Sequence, residues 1–90
     1  MELIKKIRIV NNLGLHARAA AKIVSLVGVY QSQLFLRKDG QEVDGSSILS
    51  ILTLSCPKGT DIELRVVGDD SEAMMGSMTE LIENKFGEDR

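Results

Sequence analysis

Lys6-Ile7-Arg8-Ile9-Val10-Asn11-Asn12-Leu13-Gly14-Leu15-His16-Ala17-Arg18-Ala19-Ala20-Ala21-Lys22-Ile23-Val24-Ser25-Leu26-Val27 changes its hydrophobic period part-way along. Over residues 6–10, Ile7 and Ile9 fall on one face of an extended segment and Lys6 and Arg8 on the other, the pattern of a half-buried strand. Asn11, Asn12 and Gly14 interrupt it. From Ala17 to Val27 the chain is rich in alanine, the best helix former, and Ala20, Ile23, Val24 and Val27 recur at helical spacing. That face is predicted to pack inward, with Lys22 and Ser25 toward water.

Downstream, Leu34 and Leu36 alternate with Gln33, Phe35 and Arg37, and Asp39-Gly40 supplies the positive-φ pair of a tight hairpin, so strands two and three flank it. Asp44-Gly45-Ser46-Ser47 carries helix-starting residues ahead of Ile48, Leu49, Ile51 and Leu52, a short apolar helix closed by Pro57 and Gly59. Ile62, Leu64 and Val66 alternate with Glu63 and Arg65 as strand four. Asp69-Asp70-Ser71 then offers N-caps to an amphipathic helix with Met74, Met78, Leu81 and Ile82 as its inward stripe. The predicted order is βαββαβα, an α+β open-faced sandwich with a four-stranded antiparallel sheet covered on one face by three helices. At 90 residues, 1–90 form a single domain.

Composition narrows the function classes. An apolar fraction of 43% with 27% charged residues is that of an ordinary globular protein. A net charge of −2, one tyrosine, two phenylalanines and no basic run argue against a nucleic-acid surface and for a protein partner. The start, Met-Glu-Leu-Ile-Lys-Lys, lacks the apolar region of a signal peptide. Residues 48–54 are interrupted by Ser50 and Thr53 and fall short of the roughly 20 residues of a membrane span, so no membrane insertion is expected. The single cysteine, Cys56, cannot form an intrachain disulfide and is compatible with a reducing compartment; a cytoplasmic location and an inert Cys56 are expected.

The one histidine, His16, stands between a glycine-containing loop and a helix. The first backbone N–H groups of a helix lack intrahelical partners and, with the helix dipole, form an anion site, so a phosphoryl group there would be held by Ala17 and Arg18. The same positive end favours a neutral, nucleophilic imidazole, and Gly14 allows the sharp turn that exposes the ring. Arg18 offers the donor fork that suits phosphate oxygens. Phosphoryl transfer depends on positioning and electrostatics, so one nucleophile and one cationic clamp suffice for a carrier. A histidine at a helix start also reads as a cap or a surface residue, and an exposed arginine as a solvating one. An autonomous hydrolase would need a general base, metal ligands or a second catalytic group, and no such set is visible.

Gly14-Leu15-His16-Ala17-Arg18, followed by Ala20 and Ala21, resembles the active-site segment of the HPr family, phosphocarriers of the bacterial phosphoenolpyruvate-dependent sugar phosphotransferase system. The resemblance runs along nearly the whole chain through Asp39-Gly40, Val43-Asp44-Gly45-Ser46-Ser47-Ile48 and Lys58-Gly59-Thr60. It implies that enzyme I gives a phosphoryl group to Nδ1 of His16, that Arg18 binds the phosphate, and that an enzyme IIA domain is the acceptor. It implies no metal and no cofactor, a monomer, and a phosphotransferase-system component rather than an autonomous enzyme. Where the family often has proline, this chain has Ala19, which removes some rigidity but no donor and no charge. A similar alanine form occurs among nitrogen-related relatives, which leaves sugar transport and a nitrogen-related phosphotransferase as alternatives, beside a regulatory binding module of the same fold that transfers nothing.

Ser46 and Ser47 read first as N-caps. Ser47 is also the counterpart of the serine that a regulatory kinase, and in reverse a phosphorylase, modifies in some of the family, but Ser46 replaces the family's preceding lysine. A helix as short as the second hides only one face, so Ile48, Leu49 and Leu52, with Leu15, are the candidate docking residues for enzyme I, enzyme IIA and regulatory proteins.

Overall fold

A computed structural model describes residues 1–89 as β1 (Glu2–Arg8), α1 (Ala17–Val27), β2 (Gln33–Lys38), β3 (Gln41–Asp44), α2 (Ile48–Leu52), β4 (Asp61–Val67), α3 (Ser71–Glu83) and a single closing turn, Lys85–Gly87. The strands pair in the order β1-β4-β2-β3, every pair antiparallel. The predicted βαββαβα order and open-faced sandwich are the observed ones. Asp39 and Gly40 both take positive φ, 51° and 82°, as a two-residue hairpin between right-twisted strands requires.

The alternating residues of β2 and β4, with Ile7 of β1, sort onto the two sheet faces. Ile7, Leu34, Leu36, Ile62, Leu64 and Val66 are buried beneath Ala19, Ala20 and Ile23 of α1, Ile51 of α2, and Met74, Met75, Met78 and Ile82 of α3. Burying each of the larger side chains contributes about 1.5–3 kcal/mol. The other face is charged. Arg8 donates to both oxygens of Asp61 at 2.8 and 3.2 Å. Arg65 donates to Glu2 and Glu42 with its guanidinium 4.2 Å from the Phe35 ring centroid. Exposed ion pairs add little stability, but paired opposite charges across strands oppose a register slip that would turn the apolar set outward.

One local difference from the sequence reading, and one feature that it did not address, have clear causes. Strand one runs from Glu2 to Arg8, earlier than the predicted residues 6–10, because its length is set by pairing with β4, in which Glu2 faces Val67 and Arg8 faces Asp61. Ile9 leaves that ladder yet stays fully buried, donating to Thr60 O at 2.9 Å and accepting from Gly59 N–H at 2.7 Å. At the other end, Lys85 and Phe86 take left-handed φ values of 58° and 56°, and the Lys22 ammonium donates to the Phe86 carbonyl. Left-handed geometry costs about 1–2 kcal/mol per non-glycine residue. Sealing Phe86 into the core at 1% exposure returns energy of the same order.

Candidate functional site

The loop that leads into α1 is fixed from beneath. Gly14 has φ +69°, and a Cβ there would lie 2.5 Å from Cys56 O and 2.8 Å from Pro57 Cα, so only glycine fits. Leu15 N–H donates to Cys56 O at 2.8 Å, and the fully buried Asn11 donates from Nδ2 to Gly14 O at the same distance. Cys56 is part of this support: it is buried, and burial pushes its thiol above the usual range, away from thiolate chemistry.

His16 is the N-cap of α1, with extended φ −82° and ψ 178°; its carbonyl accepts the Ala20 N–H at 2.9 Å, and its side chain makes no capping bond. The N–H groups of Ala17, Arg18 and Ala19 precede the first intrahelical donor, and no acidic side chain occupies the first turn. This leaves an electropositive helix start beside an imidazole. Ala19 is fully buried, and its N–H is one of those without an intrahelical acceptor, so proline's missing donor would make no difference there. Arg18 is exposed and makes no ion pair among the described residues.

The imidazole has a partner outside the helix. Its Nε2 lies 2.5 Å from Oε2 of Glu88, and Glu88 Oε1 accepts from Asn11 Nδ2 at 3.0 Å. Both side chains of the pair are half-buried, at 26% and 19% exposure. Hydrogen bonding from His16, and then from Asn11, holds the Glu88 carboxyl below the ordinary carboxylate range. Neither Glu88 nor Asn11 carried a signal in the sequence: Glu88 lies 72 positions from His16, and the role of Asn11 exists only once the loop has closed.

α2 packs against α1. Ser47 caps α2, accepting the Ser50 N–H at 3.2 Å, while Asp44 accepts from the backbone and hydroxyl of Ser46 at 2.8 and 2.7 Å. The four docking candidates separate. Leu49 is 78% exposed and Ile48 37%, but Leu52 is half-buried against the core. Leu15 has to be corrected: at 6% exposure it is a core residue, drawn inward by its backbone bond to Cys56, and has no side chain to offer a partner. Leu13, passed over in the sequence, is 70% exposed three residues before His16; an apolar residue inside the otherwise polar Asn11-Asn12-Leu13-Gly14 loop was the available signal.

Residues 3–84 match the family model described as "PTS HPr component phosphorylation site". The phosphocarrier protein HPr of Xylella fastidiosa (strain Temecula1) is 40% identical over 84 residues, covering 93% of this chain and 94% of that one. HPr-C-His from Thermoanaerobacter tengcongensis is structurally similar with a TM-score of 0.93 at 38% identity, covering 98% of this chain and 99% of that one. An HPr dimer from the same organism is similar with a TM-score of 0.76 at 40% identity, covering 91% and 94%. No helix among the described residues is long and apolar enough to cross a membrane.

Proposed function

Since the chain belongs to the HPr family, the phosphocarriers of the phosphotransferase system, we propose that His16 is its phosphoryl acceptor and Arg18 its phosphate clamp. The observation that carries this reading is an imidazole at an uncapped helix start whose first turn holds no acid. The donor is phosphorylated enzyme I and the acceptor an enzyme IIA domain, in sugar uptake. Nδ1 attacks phosphorus, the bond to the donor atom breaks with its electron pair left on the donor, and the phosphoryl oxygens lie against the N–H groups of Ala17 and Arg18. Exposed Leu49 and Ile48 form the apolar part of the docking surface. A phosphate on Ser47 would add charge next to Ile48 and Leu49, and so would act as a brake on docking. The working unit in this reading is a monomer, although a relative from Thermoanaerobacter tengcongensis has been seen as a dimer.

The test is phosphorylation with phosphoenolpyruvate, Mg²⁺ and a cognate enzyme I. One acid-labile, base-stable phosphoryl group is expected, absent in His16→Ala. In Arg18→Ala the transfer rate should fall while the melting temperature holds, because an exposed cation adds little stability. Label that persists without His16, or that rests only on serine, would refute the reading.

A further inference from the structure

We infer that Glu88 is a positioning residue for phosphoryl transfer: its carboxylate holds the Nε2–H of His16, which presents the Nδ1 lone pair outward and offsets the charge the ring gains. This rests on His16 as the acceptor and adds what the helix start cannot supply, a fixed ring. An ionised carboxylate only accepts hydrogen bonds, and a neutral imidazole has a single N–H. In the neutral ring that a nucleophile requires, the contact of Glu88 Oε2 at 2.5 Å puts the proton on Nε2 and the lone pair on Nδ1. The second carboxylate oxygen is held by Asn11, whose amide also holds the Gly14 carbonyl of the histidine loop. Loop and carboxylate are thus tied to one buried side chain.

Glu88 is itself held in place by the fold. Phe86, two residues before it, is sealed in the core, its carbonyl accepts from Lys22, and Glu88 N–H donates to Lys85 O at 2.9 Å. During transfer, the Nδ1 lone pair forms the N–P bond as the bond from phosphorus to the donor atom breaks, the departing electron pair staying on the donor. Nε2 keeps its proton throughout, and the ring becomes cationic next to Glu88. In the onward step the N–P electron pair returns to Nδ1 and that charge disappears. A half-buried carboxylate interacts with such a charge more strongly than one in open water. The arrangement follows the logic in which a carboxylate orients an imidazole and stabilises its cation without taking its proton.

The experiment combines ¹⁵N NMR of the His16 ring with transfer kinetics from phosphorylated enzyme I, in the full chain and in Glu88→Gln and Glu88→Ala. The wild-type ring should show a hydrogen-bonded, slowly exchanging Nε2 proton. It should shift in Glu88→Gln, which keeps a neutral acceptor, and exchange away in Glu88→Ala. Loss of one charge-assisted bond predicts that kcat falls about tenfold in Glu88→Ala with KM little changed, and less in Glu88→Gln. A purely structural Glu88 would lower the melting temperature without this kcat-specific change. A wild-type ring carrying its proton on Nδ1, or an Ala variant with ring signal and kcat both unchanged while His16 is labelled normally, would overturn this inference alone. Labelling that survives His16→Ala would overturn the acceptor reading as well.

Discussion

α1 and α2 start in opposite ways. The five-residue α2 satisfies its own start, with the Ser47 hydroxyl on Ser50 N–H and Asp44 on Ser46. The eleven-residue α1 starts on a residue whose side chain bonds Glu88, makes no capping bond and leaves its first N–H groups open. A helix of under two turns has little buried area to hold it and needs its cap, whereas α1 is held by Ala19, Ala20 and Ile23 in the core. The longer helix can therefore carry an uncapped end, and that end is available for a charge brought by another molecule.

Five substitutions at four positions probe this contrast. Gly14→Ala should break the approach to α1: the positive φ and the overlap with the Cys56 and Pro57 backbone predict a loss of about 3 kcal/mol or more in urea unfolding, with His16 labelling reduced in parallel. Leu49→Glu acts on α2 and should separate docking from folding. Its charge stays in water in the free protein, so stability should change by less than about 0.5 kcal/mol, while calorimetry should show affinity for enzyme I falling about tenfold or more. An unfolded Leu49→Glu would instead assign this side chain to the core. The smallest effects test the caps themselves. Ser47→Ala should destabilise by about 1 kcal/mol, and His16→Ser should be more stable than His16→Ala by a similar amount, since both lack the Glu88 contact and only serine can cap. Equal stabilities for the two His16 variants would mean that the start of α1 is satisfied in some other way.

The layered fold was legible because it is written in local periods: alternation in Leu34, Leu36, Ile62, Leu64 and Val66, and helical spacing in Ala20, Ile23, Met74 and Met78. The Asp39-Gly40 turn was legible because few residue pairs accept two positive φ angles. His16 and Arg18 stood out by residue type and neighbours. What was hidden depends on contacts between distant parts of the chain. Lys85 and Phe86 are not turn formers, and only the burial of Phe86 makes their left-handed geometry tolerable. Glu88 reaches His16 through that same turn. Leu15 looked available because it adjoins the histidine, but the pattern of a loop does not show which side of it faces the core.

The sheet order also governs how the chain acquires its shape. β1 is an edge strand whose one neighbour is β4, and Arg8 meets Asp61 across 53 positions. The β2–β3 hairpin can close within its own few residues, so folding kinetics should show an early local phase and a later one limited by bringing the distant edge into register. Among these four strands, β1 leaves the ribosome first and waits longest for its partner. The histidine loop waits with it, because Gly14 and Leu15 take their shape from Cys56 and Pro57, and a nascent chain stopped before those residues would carry the nucleophile without the geometry that lets it work.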